Sequence, residues 1–170
     1  IPLFPIYQYM PKHTETLPKG HTKMQKNISQ TSENIMKERF GKDSLIALAT
    51  VSDGKPYVRA VNSYYEDGCF YVITYELSNK MRHIRENPII GICGEWFTAQ
   101  GVGESLGYIC ANENRELAEN LRRVFSEWYY NGHIDESDEN TCILKIKLES
   151  GVLLKNGVRY DVDFREIADE

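Results

Sequence analysis

Four polar side chains within residues 55–87 are of the types that a phosphate-binding site needs. Arg59 lies in a strand-like stretch, Thr74 ends the next one, and Ser78 and Lys80 stand where a short helix begins. A phosphate binds to donors of fixed geometry and to positive charge, and it gains from the free amides of a helix N-terminus. The spacing predicts an anion site at a sheet edge, and a phosphate there would belong to a cofactor. The alternative is that Arg59 pairs with a surface carboxylate and Ser78 only caps the helix.

The overall composition excludes several other classes of function. The formal net charge of −5 over 170 residues argues against a general nucleic-acid role, since no basic stripe is available. No apolar run approaches the length of a membrane span. Three of the four cysteines, Cys69, Cys93 and Cys142, lie in apolar strand-like runs without a metal-ligand spacing. We therefore expect buried thiols, no metal site and a cytoplasmic protein.

Hydrophobic periodicity and turn signals give the elements that must position the four side chains. The pattern predicts helices over residues 27–40, 77–86 and 112–130, and a strand or loop over 100–103. Seven short strands are expected, over residues 44–51, 57–65, 69–75, 89–97, 141–148, 152–155 and 158–164. Their connections are mostly too short for parallel crossovers. The fold class is therefore mainly β with α, a closed antiparallel barrel of about six strands whose ends are covered by helices.

The N-terminal segment differs from the rest of the chain in its proline content. Residues 1–26 hold four of the six prolines, which favours an extended Pro-rich arm with no core of its own. Because the chain starts at Ile1, we expect this arm to be trimmed or partly vector-derived. Residues 27–170 form the second unit, the folded domain.

A second stretch, over residues 95–101, combines aromatic rings with an amide and a glycine. Trp96 and Gln100 there would suit the wall of a planar ligand, although aromatic residues at a strand end are more often core or interface. The histidines are scattered, and His83 is expected to face solvent. No residue stands out as a general acid or base.

The order of three segments resembles the pyridoxamine 5′-phosphate oxidase-like family of flavin-binding split barrels. The segments are ALATVSDGKPYVRAVN (47–62), FYVIT (70–74) and SNKMRHIRENP (78–88), and the resemblance covers about residues 27–164. It implies an antiparallel split barrel of Greek-key type. It also implies an FMN-binding homodimer with the flavin at the subunit interface.

The resemblance also assigns roles to residues. It places Arg59 and Lys80 at the phosphate charge, Ser78 and Thr74 at phosphate or ribityl hydrogen bonds, and Val61 and Asn62 at the ring edge. Trp96 and Gln100 would belong to the ring pocket or to the second subunit. The full cofactor-binding set implied is Arg59, Ala60, Val61, Asn62, Ile73, Thr74, Ser78, Asn79, Lys80, Trp96 and Gln100.

Two departures separate this chain from true pyridoxamine phosphate oxidases. Tyr64 and Asn79 stand where that family usually carries a basic residue, and the ending RYDVDFREIADE lacks the Arg- and Trp-containing segment that grips the substrate phosphate. We therefore expect a small branch of the family, and an FMN-dependent oxidoreductase acting on an unidentified small molecule rather than on vitamin B6. The alternative is a non-catalytic module that binds or senses flavin, haem or a deazaflavin.

Overall fold

The computed structural model describes the backbone of residues 25–166 and the side chains of residues 30–165. The predicted arm lies almost wholly outside the described residues. The helices are α1 (Gln25–Phe40), α2 (Asn79–Glu86), α3 (Arg115–Val124) and the single turn α4 (Ser126–Trp128). The strands are β1 (Ser44–Ser52), β2 (Lys55–Glu66), β3 (Cys69–Tyr75), β4 (Ile89–Gly94), β5 (Phe97–Tyr108), β6 (Thr141–Lys155) and β7 (Val158–Asp163).

Six of the strands close into an antiparallel barrel. The order is β3-β2-β1-β4-β5-β6, β3 pairs back onto β6, and β7 extends the sheet from β6. All of these pairings are antiparallel. The predicted fold class, mainly β with α and a split-barrel architecture, is confirmed.

The barrel is split between β2 and β3. Strand β2 pairs with β1 along most of its length, from Lys55 to Ser63, but with β3 only from Tyr64 to Glu66. Strand β3 meanwhile pairs along its whole length with β6. The first part of β2 and the last part of β3 therefore diverge, and an opening lies between them.

Two helices close the ends of the barrel, as predicted. Met36 and Phe40 of α1 are buried in the barrel core at the end where β1 begins. Met81 and Ile84 of α2 are buried in the same core, at the end where β1 finishes. No helix within residues 25–166 is long and apolar enough to cross a membrane.

The third helical region packs on the outside of the barrel. Leu121 and Phe125 join Ile73 of β3 and Ile143 of β6 in a second apolar cluster. The prediction of one continuous helix over residues 112–130 is wrong. The region is a 3₁₀ turn, then α3, then short turns, because Phe125 leaves the helical conformation with φ −94° and ψ 16°.

Three strand boundaries also differ from the prediction. The strand predicted over 89–97 ends at Gly94, because Trp96 adopts φ 51° in a tight turn into β5. The residues 100–103 belong to the twelve-residue strand β5. The two strands predicted over 141–155 are one, β6. The pairing of β5 with β6 shifts register between Gln100 and Gly101. Glycine is needed at position 101, since a Cβ there would lie 2.5 Å from the carbonyl oxygen of Lys147.

Candidate functional site

The opening between β2 and β3 holds the predicted polar cluster. Thr74 is half-buried on the face of β3 that carries barrel-core residues, and α2 begins just beyond that strand. Lys80, in the first turn of α2, donates from Nζ to Thr74 Oγ1 at 2.7 Å and to Ser78 Oγ at 3.4 Å. An ammonium group has three protons, so one remains for a ligand.

Arg59 enters the same opening from β2. It lies on the inward face of that strand, as alternation with buried Val61 and Ser63 requires. Its Nη1 donates to Thr50 Oγ1 at 2.7 Å and to the Leu48 carbonyl oxygen at 3.3 Å. Its Nε and Nη2, the edge that can form a two-pronged contact with a phosphate, have no hydrogen-bond partner among the described residues.

The two cations repel each other without a counter-ion. Burial and the charge of Arg59 lower the pKa of Lys80, and burial lowers the pKa of Arg59. Within residues 30–165, no carboxylate forms an ion pair with either cation. Two partly desolvated positive charges that lack an anionic partner are unfavourable in the free protein. A bound anion would remove this penalty.

The start of α2 adds backbone donors to the cluster. Ser78 occupies the N-cap position with φ −69° and ψ 157°, but its side chain accepts no bond from the helix amides. Its hydroxyl instead accepts from Lys80. The first amides of a helix have no intrahelical acceptor, so they add to the positive potential at this point. Of the alternative interpretation, the pairing of Arg59 with a carboxylate is not seen among the described residues, and Ser78 takes the N-cap position without a capping bond from its side chain.

The other predicted residues of the two strands and of α2 lie around the cluster rather than in it. Val61 is buried in the barrel core, and Ile73 is buried on the opposite face of β3, under α3. Ala60 and Asn62 are exposed on the outer face of β2, and Asn79 is exposed at the start of α2. Their predicted roles toward a cofactor stay predictions.

Trp96 and Gln100 are not part of the cluster within this chain. Trp96 is 67% exposed in the turn between β4 and β5, at the barrel end that α1 closes. Gln100 lies on the outer face of β5, in an open groove of about 770 Å³. Small and apolar residues form most of the groove, among them Ala47, Ala49, Val58, Gly91, Ile92, Gly151, Val152 and Val162.

The sequence interpretation missed two residues behind Arg59. The expectation that His83 faces solvent is wrong, since its side chain is 2% exposed. Its Nδ1 lies 3.0 Å from Oγ1 of Thr50, which is itself buried, and the Tyr57 ring packs on the imidazole at 4.6 Å. Helical spacing places His83 on the same side of α2 as Lys80, three residues earlier, but does not show that β1 covers that side.

The cysteines agree only in part with the expectation of buried thiols. Cys69 and Cys142 are buried, whereas Cys93 is exposed on the outer face of β4, where the groove runs. Cys142 is the cross-strand partner of Thr74. Burial and a hydrogen bond with Glu76 raise the pKa of the Cys142 thiol to about 12, so it adds no negative charge beside the cations at neutral pH.

Comparison with known families identifies the class of protein. The model of the family described as pyridoxamine 5′-phosphate oxidase matches residues 33–155, which include the barrel strands β1 to β6 and the polar cluster. The chain belongs to this family. A search of curated proteins found no match.

Solved structures share the fold at low sequence identity. A Clostridium acetobutylicum protein described as related to general stress protein 26, of the pyridoxinephosphate oxidase family, is 15% identical, with a TM-score of 0.57 over 85% of this chain and 99% of that one. A FAD-binding protein from Mesorhizobium loti is 18% identical, with a TM-score of 0.54 over 69% and 90%. A heme binding protein from Mycobacterium smegmatis is 15% identical, with a TM-score of 0.57 over 75% and 55%.

Proposed function

We propose that this protein binds FMN through its phosphate at the Arg59–Lys80 cluster and acts as an FMN-dependent oxidoreductase on a small molecule. One observation carries the proposal. Arg59 and Lys80 are partly buried at the split between β2 and β3, yet neither forms an ion pair with a carboxylate among the described residues. A phosphate dianion supplies the missing charge.

The donors available match a phosphomonoester in number and kind. Arg59 offers its Nε and Nη2 edge, Lys80 offers one proton, and the hydroxyls of Thr74 and Ser78 adjoin them. Charge-assisted hydrogen bonds contribute roughly 1.5–3 kcal/mol each, so three of them suffice for tight binding. The cluster is therefore suited to the phosphate end of the cofactor and leaves the rest of the flavin outside the barrel core.

The flavin ring would supply the redox chemistry, and the protein would place it and shield it from water. The assignments of Ala60, Val61, Asn62, Ile73 and Asn79 toward the ribityl chain and the ring belong to this proposal. They rest on the family pattern around the R-x-V strand.

The proposal includes a homodimer with the flavin at the subunit interface. The groove on the outer face of the barrel supports it, since small apolar residues there leave a surface that a second copy can cover. Gln100 lies in this groove, and Trp96 is exposed beyond it, where each could reach a flavin bound by the other subunit.

Light scattering on fractions eluted from a size-exclusion column measures the molar mass and so tests the dimer. Val58→Glu places a charge in the groove at a side chain that is 67% exposed, so the fold should tolerate it while the mass falls to that of a monomer. Tyr130→Glu is the matched control, because Tyr130 is 74% exposed outside the groove. A dimer that survives Val58→Glu would place the interface elsewhere.

A visible absorption spectrum, recorded before and after adding FMN and desalting, tests the cofactor. We expect retained flavin bands in the wild type and weaker retention in Arg59→Ala and in Lys80→Ala. A wild-type protein that stays colourless after incubation with FMN would refute the proposal.

A second candidate is a module that binds flavin, or a related ligand such as haem or a deazaflavin, without turnover. Its support is that the cluster offers cations and hydroxyls but no free acid. Glu76, between Thr74 and Ser78 in the chain, is held by Arg85 at 3.0 Å and by Ser105 at 2.6 Å. Steady oxidation of NAD(P)H with an electron acceptor present would favour the oxidoreductase, and bound flavin that stays oxidised would favour the module.

A further inference from the structure

A buried chain of polar contacts lies behind the Arg59 guanidinium. Arg59 Nη1 donates to Thr50 Oγ1 at 2.7 Å, and the same oxygen lies 3.0 Å from His83 Nδ1. Thr50 and His83 are 1% and 2% exposed. The chain joins β2 to β1 and β1 to α2 at the end of the barrel that α2 closes, and Tyr57 covers the imidazole from one side.

The hydroxyl of Thr50 can satisfy both neighbours at once. A guanidinium only donates, so one lone pair of Oγ1 accepts from Arg59. The single hydroxyl proton can then bond to Nδ1 of His83 in the tautomer that carries its ring proton on Nε2. In this arrangement, the orientation of the hydroxyl is fixed by two partners, and the position of Nη1 is fixed by the hydroxyl.

We propose that Thr50 and His83 are positioning residues for the phosphate site: they hold Arg59 by Nη1 so that its Nε and Nη2 edge faces the ligand. This inference rests on the proposed function. A long side chain that is already fixed in its bound geometry loses less entropy when the ligand binds. Because Thr50 and His83 come from β1 and α2, the guanidinium is held by two elements that the barrel core itself fixes in place.

A purely structural role would not require these two side chains. Valine has nearly the shape of threonine, so packing alone would be served at position 50 without burying a hydroxyl. The only other hydrogen bond of Arg59 to a described residue is to the Leu48 carbonyl, at the longer distance of 3.3 Å. The polar chain is therefore the main restraint on Nη1.

The test compares the affinities for FMN and for riboflavin, which differ by the phosphate alone. The dissociation constant for riboflavin divided by that for FMN measures how much the phosphate contributes to binding in each variant. Thr50→Val should reduce this ratio about three- to tenfold, the effect of freeing one flexible side chain, with riboflavin affinity unchanged. Thr50→Ser should restore the ratio, because it keeps the hydroxyl. In an Arg59→Met background, Thr50→Val should have no further effect.

A second pair of variants addresses the imidazole and protects the test against a folding defect at position 50. His83→Leu removes the acceptor and should reduce the ratio, whereas His83→Asn keeps an acceptor near the place of Nδ1 and should retain more of it. A wild type without preference for FMN over riboflavin would overturn the proposed function, and this inference with it. A wild-type preference that survives both Thr50→Val and His83→Leu would overturn the positioning role alone. Equal losses of affinity for FMN and for riboflavin would also overturn the positioning role, because they would indicate a general effect on the fold.

Discussion

Replacing Lys80 by Met isolates one contact to the phosphate. Methionine replaces the apolar stem of lysine atom for atom and lacks only the ammonium group. Two of the three ammonium protons are already donated, to Thr74 and Ser78, so the variant removes one charge-assisted hydrogen bond to the ligand. Such a bond contributes roughly 1.5–3 kcal/mol, which corresponds to about a 10- to 150-fold rise in the dissociation constant for FMN.

The same substitution has a second, independent effect on the free protein. The pKa of Lys80 is lowered from 10.5 in the folded state, so the folded protein binds fewer protons than the unfolded chain between that lowered pKa and 10.5. The free energy of unfolding therefore rises with pH across this interval. Lys80→Met should abolish the contribution of this residue to the rise, and bound phosphate should reduce it in the wild type.

Titration of flavin fluorescence against protein measures the first effect, and urea denaturation at several alkaline pH values measures the second. Lys145→Met is the matched control, since Lys145 is a half-buried lysine already paired with Glu104 at 3.1 Å. Our reasoning is refuted if Lys80→Met binds FMN as the wild type does. It is also refuted if Lys145→Met weakens binding by the same factor.

Three further predictions concern the stability of the fold. Trp128→Phe removes an N–H that donates to Asp43 at 2.6 Å, and urea denaturation should show a loss of about 1–3 kcal/mol. Gly101→Ala should lower stability by about 1–3 kcal/mol in the same assay, because its Cβ would meet a backbone oxygen. The pKa of Glu136 is lowered from 4.5, chiefly by Arg122, so its contribution to stability is present above pH 4.5 and lost as pH falls through the lowered pKa. Glu136→Gln should flatten the acid side of the stability profile.

Each of these has a control. The loss of stability caused by Trp128→Phe should be smaller in an Asp43→Asn background. Additive losses in the double variant would show that the two side chains do not interact. Gly91→Ala should cost little, because its Cβ would meet only the Ala49 side chain at an ordinary 3.6 Å. If the Glu136→Gln profile keeps the wild-type slope below pH 4.5, another carboxylate dominates the acid transition.

The hairpins of the barrel were predictable because their turns are local. Residues 53–54, 67–68 and 156–157 pair an aspartate or asparagine with glycine, and all six residues have positive φ in the structure. Such turns fix the register of the strands that they join. Thr74, Ser78 and Lys80 were likewise predictable as a group, since they lie within seven residues that span the end of β3 and the start of α2.

The burial of His83 was not predictable from α2 alone. The many charged residues of this short helix predict that most of its surface is exposed to solvent. Only its docking against the end of β1 decides which side is covered. The contact with Thr50 spans 33 residues of sequence. The break of the long predicted helix near Phe125 has the same origin, because Phe125 packs into the cluster under α3 and Trp128 reaches back to Asp43.

Arg59 and Lys80 can share one opening because strands β2 and β3 do not pair along the part of the sheet where these residues lie. Strand β3 pairs with β6 along its whole length but with β2 only as far as Tyr71, which lies opposite Tyr64. No ladder hydrogen bonds therefore join β2 to β3 where Arg59 and Thr74 lie. An inward-facing arginine would be unfavourable in a closed barrel, because its charge would be buried among apolar side chains. At the split it reaches polar partners and an open edge. The opening therefore accounts both for the charged residue within a strand and for the place where an anion can enter.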